Sequence, residues 1–540
     1  MQRPTFEIEE LDATPRRLRA LVICAHLRPS RDRRRSRYMM QSIAGLQVAS
    51  LIDKAHFDVE LYHEDWHGPY DTGRCAGYDL VFLSGLQVDF DRMRQLSYHF
   101  RRHGARTVAG GSICTTFPDF AASFFDAVCV GGVDAVRDVV TDFRAGALKP
   151  IYRSPSLAIG RYVVDYGIFR ESGIAPAVHL VEASRGCSFR CSFCVMPGEF
   201  GGHQPYRLDD VIASIDSAIV NSPRWSFSRN WPIVLFLDNN LSDDRNYLLA
   251  VCAAMRAHPK VRGWMALVTQ NILQDRELVK KVAASKCVGL FAGIESLDPE
   301  TLRRFRKTQN LSRRSNVIED VAFAESLGVG IVYGLLFDPR HQTVAEMRRQ
   351  FAAITDHPRM PMPVYLSVVA PLVGTAEFSG ALARGELEPG LRLRDLDGET
   401  LCYRNSVATD EPLPAFLEQI FRRPWEVAHR RKVLWKTLTR IVRARRWNPI
   451  RWYIFAAATL HCYFWSRGTP AGVRTYMAGS DPLDPQYDDY PADISAADRA
   501  RYFDPVEIVD AVGQPADWLR QDTRKRPRSH AVEDEVRHEL

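Results

Sequence analysis

The chain reads as an α/β protein: two parallel-sheet units in succession, then a mostly helical region. Three observations predict this. Before residue 150, five short apolar runs alternate with helical stretches. From about 160 to 385, six more do the same, and several end in polar residues. After 386 the pattern turns helical. Strands alternating with helices mean parallel strands covered by the helices that connect them. A chain of 540 residues has room for two or three such units.

The net charge of +6 is mild for this length and gives no reason to expect a nucleic-acid partner. The eleven cysteines are scattered apart from one group of three, which suits a reducing compartment. The start, Met1 to Glu7, is polar and lacks a secretory pattern. No apolar run is long enough to span a bilayer. A cytoplasmic location is therefore expected.

Residues 15–150 form the first unit. Leu18–Cys24 reads as a buried strand. The Arg31–Arg37 cluster reads as a solvated loop, and a helical pattern follows through Met39, Leu46, Leu51 and Ile52. Strands are expected at Phe57–Tyr62, Tyr78–Gly85, Arg106–Gly111 and Ala127–Gly132. Ser84 and the glycines fall at strand ends, where open α/β sheets take their ligands.

Residues 160–385 form the second unit. The run Val178–Val181 reads as a strand, and a loop from Ala183 to Pro197 leaves its end. That loop holds Cys187, Cys191 and Cys194 as Cys-x-x-x-Cys-x-x-Cys. Three thiolates this close can hold three corners of a cubic iron–sulfur cluster, where four cysteines are usual. No fourth follows, so one iron would be open to a non-protein ligand. An open position marks a metal site that does chemistry. A structural zinc site would need four ligands; His203 is the nearest fourth, and no second Cys-x-x-Cys pair exists. A disulfide framework belongs to small secreted domains, and three plain core thiols would not share one polar loop.

Further strands are expected within Trp231–Asn240, Gly263–Asn271, Val288–Ser296, Gly328–Asp338 and Val364–Ala370. Helices such as Leu208–Val220, Asp275–Ala284 and Ser315–Leu327 separate them. Six strand–helix units make an incomplete (β/α)6 barrel, by analogy with the full eight. Working residues of such barrels sit at the carboxyl ends of strands. Asp238, Asn239, Gln270, Asn271, Glu295 and Ser296 should therefore line the same mouth as the cysteine loop.

Residues 386–520 read as helical, with a break at Pro424. The stretch Arg430–Arg446 is basic, with Leu434, Leu438, Ile441 and Val442 on one face. That face is expected to dock on the protein itself. An anionic membrane surface is the alternative partner for 430–466. Ile450–Trp465 is apolar and aromatic and reads as core or as lining for a large apolar substrate. Residues 521–540 are charged, and disorder is expected there.

The cysteine spacing, with Phe193 just before the last cysteine, resembles the radical S-adenosylmethionine (SAM) superfamily. The resemblance implies that Cys187, Cys191 and Cys194 hold a 4Fe-4S cluster. Its open iron would bind the amino and carboxylate groups of SAM. An electron from the cluster would cleave SAM to methionine and a 5′-deoxyadenosyl radical. Gly293-Ile-Glu-Ser296 is similar to a SAM-contacting motif of this family, and Asp238-Asn-Asn240 stands where relatives carry a second. Phe193, Asp238, Asn239, Gln270, Glu295 and Ser296 are thus the implied SAM contacts, with Glu295 able to accept from ribose hydroxyls or an ammonium group. Pro371-Leu-Val-Gly-Thr375 resembles the segment that closes the barrel.

The first unit resembles the Rossmann-like domain of the cobalamin-dependent branch. Ser84, Leu86, Gly110 and Gly111 would be the positions that approach the cobalamin tail. Two departures stand out. The Asp-x-His-x-x-Gly signature for a lower axial histidine is absent, His63-Glu-Asp-Trp-His67-Gly68 having the residue types in another order. Gly131-Gly-Val-Asp134 replaces the more usual Gly-Glu-x-Glu.

The resemblance covers roughly residues 15 to 380. It implies a cobalamin-dependent C-methyltransferase for an unactivated carbon of a small-molecule, lipid or tetrapyrrole-like substrate, with flavodoxin or ferredoxin as electron donor. Joining two cofactor domains over one substrate is a gain in orientation. The alternatives are a radical cyclisation or rearrangement on the same architecture, a tRNA methylthiotransferase and a non-enzymatic cobalamin or cluster sensor. The methylthiotransferase would need a second cluster on cysteines such as Cys24, Cys75, Cys114 and Cys129. No general acid or base is assigned.

Overall fold

The computed structural model describes residues 16–27, 42–154, 162–199, 202–224, 226–311, 316–404, 412–422, 430–443, 477–479 and 490–519, with positions 407 and 452. The Arg31–Arg37 cluster, Pro424, most of Ile450–Trp465 and residues 521–540 lie outside the described residues.

The first unit is a six-stranded parallel sheet. Its strands are β1 (Leu18–Cys24), β2 (Phe57–His63), β3 (Leu80–Gly85), β4 (Arg106–Gly111), β5 (Ala127–Val130) and β6 (Ile151–Arg153). β6 is added to the five that the apolar pattern predicts; at three residues it is too short to show a period. The order β2-β1-β3-β4-β5-β6 reverses direction between β1 and β3. That reversal opens a crevice beyond the carboxyl ends of the strands. Successive side chains point to opposite faces. Ala20 and Val22 enter one core, and Leu21 and Ile23 the other. The first core runs on into the second unit. The C-terminal segment completes the second through Leu391, Leu393, Phe503 and Ile508.

The second unit contains β7 (His179–Val181), β8 (Ser184–Arg185), β9 (Gln204–Pro205), β10 (Ile233–Phe236), β11 (Gly263–Thr269), β12 (Cys287–Gly293), β13 (Gly330–Val332), β14 (Gly334–Phe337) and β15 (Tyr365–Val368). One parallel sheet runs β13-β12-β11-β10-β7, and β14 pairs with β15. The two are continuous: Leu336 N donates to Glu295 O at 2.9 Å, and Glu295 bridges Leu335. The run Gly328–Asp338 is thus one barrel strand broken at Tyr333, whose buried hydroxyl donates to Pro361 O at 2.7 Å. Counting β13 and β14 together gives the six strands of the incomplete barrel. The connecting helices start where side chains cap them. Asp275 accepts from Leu278 N ahead of Arg276–Ala284, and Asn316 from Ile318 N ahead of Val317–Ser326.

Beyond the barrel come helices Leu413–Arg422, Arg430–Arg443 and Ala496–Tyr502. Residues near 387–403 and 503–515 run as turns and single bridges against the first sheet.

One expectation is reversed. The apolar stripe of Arg430–Arg443 faces outward, with Leu434 46%, Leu438 56% and Val442 80% exposed, and Trp435 beside them at 70%. Ile441 is half-buried. The docked face carries Val433, Lys436, Thr437 and Arg440. Lys436 Nζ donates to Ile354 O at 2.6 Å and Thr355 O at 3.0 Å. These carbonyls belong to the last turn of helix Val344–Asp356, where intrahelical partners are lacking. Arg440 pairs with Glu325 in the same interface. Polar groups that satisfy helix ends have taken the side that amphipathicity assigns to leucine and valine.

Candidate functional site

The site is built on the loop that leaves β7. Its base is clamped by Asp238, at the end of β10. Asp238 is fully buried, accepts from Ala183 N at 3.1 Å and from the Ser184 hydroxyl, and is pushed up to about 7 by burial. Next along, Asn239 Oδ1 accepts from Gly186 N at 2.9 Å. Gly186 has φ +77°, a left-handed turn that favours glycine. Asn240 Nδ2 donates to Cys187 Sγ at 3.7 Å and to Asp243 Oδ1 at 3.0 Å. Asp243 in turn accepts from Ser188 N at 3.2 Å. The second-strand motif therefore shapes the loop that carries the first cysteine, and Asp243 is a member that pattern reading did not single out.

All three cysteines are free thiols and partly exposed, whereas Cys24, Cys75, Cys114 and Cys129 are buried. Burial raises the Cys187 thiol, and the Cys194 thiol to about 11, so a metal binding there displaces protons. Among the described residues no three His, Cys, Asp or Glu converge tightly enough to hold one metal ion. The first-unit cysteines are buried, and burial raises Cys75 and Cys129 to about 12.

The opposite wall comes from β12 and the segment after it. Glu295 adopts φ +63°, unusual for a residue with a side chain. Its Oε1 accepts from Lys307 Nζ at 3.1 Å. A Cβ on Gly293 would stand 2.9 Å from that Nζ and 3.1 Å from Oε1, so the glycine leaves room for the pair. Lys307 is buried, and its Nζ lies 5.7 Å over the Phe193 ring. Burial opposes its charge, but Glu295 and then Cys191 outweigh that and raise it above the usual lysine range. Gln309 Nε2 donates to Cys191 Sγ at 3.5 Å. The Phe193 ring meets Phe305 edge-on at 5.3 Å. Lys307 and Gln309 are thus site residues that sequence reasoning missed. They lie 12 and 14 positions past Glu295, and no strand or helix period connects them.

Ser296 is buried and accepts from Gln350 Nε2 at 2.9 Å and Asp298 N at 3.0 Å, so it orders the turn behind Glu295. Gln270 is buried where β11 gives way to a 3-10 turn, and Asn271 accepts from the Thr269 hydroxyl.

The two units meet edge to edge. Helix Met196–Glu199, which follows Cys194, packs against helix Ser112–Thr116, which follows β4. Gln47, in the helix after β1, donates to Glu182 at 2.6 Å and accepts from Arg185. Gln87 donates to Val373 O at 2.7 Å and accepts from Val373 N at 2.9 Å, which fixes Pro371–Thr375 to the first unit. Gly374, at φ +94°, sits where a Cβ would press on Thr116 at 2.9 Å.

The carboxyl edge of the first sheet offers a cradle. A Cβ on Gly110 would meet nothing within 4 Å, and Leu86 is 72% exposed. Gly111 has φ +123° and packs so close that a Cβ would lie 2.5 Å from Gly85 O. Ser84 O accepts from Ala25 N at 2.8 Å. An open, partly apolar edge of this kind suits a large planar ligand with a tail. His67 Nε2 is engaged with Ser172 O at 2.8 Å, and His63 is buried 3.3 Å from Asp65.

Residues 181–335 match the model of the Radical SAM superfamily. The chain is 25% identical over 347 residues to bacteriochlorophyllide d C-8(2)-methyltransferase of Chlorobaculum tepidum, covering 62% of this chain and 74% of that one. It is 24% identical over 277 residues to hopanoid C-2 methylase of Rhodopseudomonas palustris, covering 48% and 50%. Among solved structures, the fold is similar to the radical SAM methyltransferase TsrM of Kitasatospora setae with cobalamin and a [4Fe-4S] cluster bound: TM-score 0.50, 17% identity, 70% of this chain and 76% of that one. It is also similar to the cobalamin-dependent SAM radical enzyme OxsB, with TM-score 0.55, 13% identity, and 79% and 72% covered.

Proposed function

We propose that this chain, which carries a radical SAM domain over residues 181–335, is a cobalamin-dependent methyltransferase. It would place a methyl group on an unactivated carbon of a small tetrapyrrole-like or lipid-like molecule. The observation that carries the reading is the edge-to-edge packing of the two units, with the helix after Cys194 against the helix after β4. In this reading, two ligand-binding edges are turned toward one space. The names of the methyltransferases to which the chain is similar support the substrate class.

In this reading Cys187, Cys191 and Cys194 hold the cluster. Glu295, Lys307 and Phe193 bound the SAM site. Asp238 and Asn239 fix the loop from beneath, while Gln270 and Ser296 line or brace the mouth. Ser84, Leu86, Gly110 and Gly111 receive cobalamin. When bound, the cluster supplies the electron that splits SAM, and cobalamin supplies the methyl group. The protein's share is to hold the reacting groups in one orientation and keep water from them. An electron donor of the flavodoxin or ferredoxin type and a cytoplasmic location go with this reading.

The test is anaerobic purification with cobalamin supplied, followed by incubation with methyl-labelled SAM, a reductant and a bacteriochlorophyllide or hopanoid substrate. We expect 5′-deoxyadenosine and labelled product together. 5′-Deoxyadenosine with an unlabelled, altered product would instead favour a radical rearrangement. Absence of SAM cleavage by cluster-loaded protein would end the enzymatic reading.

A further inference from the structure

The helix Arg430–Arg443 presents to solvent the side that should be buried. Leu434, Trp435, Leu438 and Val442 are all exposed, by 46% to 80%. Its inward side is held by Lys436 and Arg440 through polar contacts, so the outward apolar side is a consequence of firm docking.

A second, independent observation is charge. Between Val427 and Ser480 the sequence has eleven Lys and Arg and no Asp or Glu. The whole chain carries only +6, so the other 486 residues sum to −5. One tenth of the chain holds a cationic excess that the rest more than lacks. Such a block seeks an anionic partner.

We propose that the outer face of this helix, which lies in a stretch of sequence without Asp or Glu, docks the protein on an anionic lipid surface. An exposed tryptophan among leucine and valine, on a helix whose sequence is rich in arginine and lysine, is the composition that settles at a headgroup boundary. A second copy of this chain would set one cationic block against another. Among the described residues no helix is long and apolar enough to cross a membrane, and the contact proposed is one of lying on the surface. Ile354, Thr355 and Glu325 lie in the last turns of their helices, which return the chain to the amino ends of the barrel strands. The docked helix is therefore at the end of the barrel opposite the cysteine loop. Docking there leaves the mouth free.

The experiment is co-sedimentation of the full-length, cofactor-loaded protein with phosphatidylcholine vesicles, with and without about 30% phosphatidylglycerol. Binding is expected only to the anionic vesicles, and is expected to weaken by at least about tenfold between about 0.1 and 0.5 M NaCl. Trp435→Ser with Leu438→Ser should cost at least about tenfold in binding while the thermal midpoint and molar mass stay unchanged. Arg431→Glu, at an exposed position of the same helix, should weaken binding without touching the apolar stripe; it carries the test if the double variant does not fold. Four results would overturn the proposal: no vesicle binding, equal binding to neutral vesicles, a double variant that binds as before, or a double variant that binds less because a dimer has dissociated. A thermal midpoint several degrees lower in a double variant that still folds would mean that this chain's own residues cover the face, and would overturn it too.

Discussion

Arg394 donates from Nε at 2.8 Å and from Nη2 at 2.7 Å to a single oxygen of Asp91, Oδ2. Both residues are buried. The other oxygen, Oδ1, accepts from Arg94 Nη2 at 2.6 Å and Val506 N at 3.1 Å. One carboxylate in the helix after β3 therefore holds two segments from beyond the barrel, and two arginines face each other across it. Asp91→Asn would leave both cations buried without their counter-charge. We expect a loss of about 3–5 kcal/mol, read by urea denaturation. Burial works against the Asp91 charge, but Arg394 and Arg94 outweigh it and hold the carboxyl below the usual range. Its contribution is thus present above the unfolded value, about 4, and is lost as pH falls through the folded value. The wild type should lose stability below about pH 4 more steeply than the variant; parallel acid limbs would refute this.

Asp238 has the opposite sign. Its folded value of about 7 lies above the unfolded one, near 4. The folded protein then binds a proton that the unfolded chain releases. Stability from this group is complete below about pH 4 and declines as pH rises toward 7, by at most about 4 kcal/mol. Asp238→Asn can still accept from Ala183 N and donate to the Ser184 hydroxyl. It should flatten that decline in thermal midpoints taken from pH 4 to 8. If wild type and variant keep the same slope, Asp238 is ionised throughout.

Lys307 stands beside Glu295 and near Cys191 and Cys194 with its charge buried. If Cys191 and Cys194 hold the proposed cluster, Lys307→Met removes a cation from its surroundings. An interaction of about 1.5–3 kcal/mol with a charged group corresponds to a one-electron potential roughly 65–130 mV more negative. Lys307→Arg should recover most of it. A redox titration followed by electron paramagnetic resonance measures both. An unchanged potential in the methionine variant would place Lys307 outside the site's electrostatics.

What could be read from the sequence follows from which signals are local. Alternating apolar runs located ten of the eleven strand positions of the two main sheets, because a buried parallel strand is written as one contiguous run. The cysteine loop stands out in the sequence because its three cysteines lie within eight residues. Lys307 and Gln309 were not, since only the turn after Ser296 brings them back to Cys191 and Glu295. The orientation of Arg430–Arg443 was misread for a related reason. Amphipathicity counts apolar area on one helix, whereas Lys436 and Arg440 are placed by carbonyls and a carboxylate on two others. Likewise Asp238, a motif residue at a strand end, is spent on the loop base, and only three-dimensional contacts reveal where its oxygens point.

Gly110 and Gly111 are neighbours with opposite reasons for lacking a side chain. Gly111 has φ +123° and stands against Gly85 O, so Gly111→Ala must shift the ends of β3 and β4. We expect it to lower stability by about 1–3 kcal/mol. Gly110 has nothing within 4 Å of a built Cβ. Gly110→Val should therefore leave stability within about 0.5 kcal/mol of wild type, as a side chain that enters open space does. If the open edge is the cobalamin cradle, the same valine fills it, and cobalamin affinity should fall by at least about tenfold. Spectral titration with cobalamin, beside thermal unfolding of the unloaded protein, separates the two effects. A Gly110→Val protein that binds cobalamin as tightly as wild type would show that the ligand does not lie on this edge.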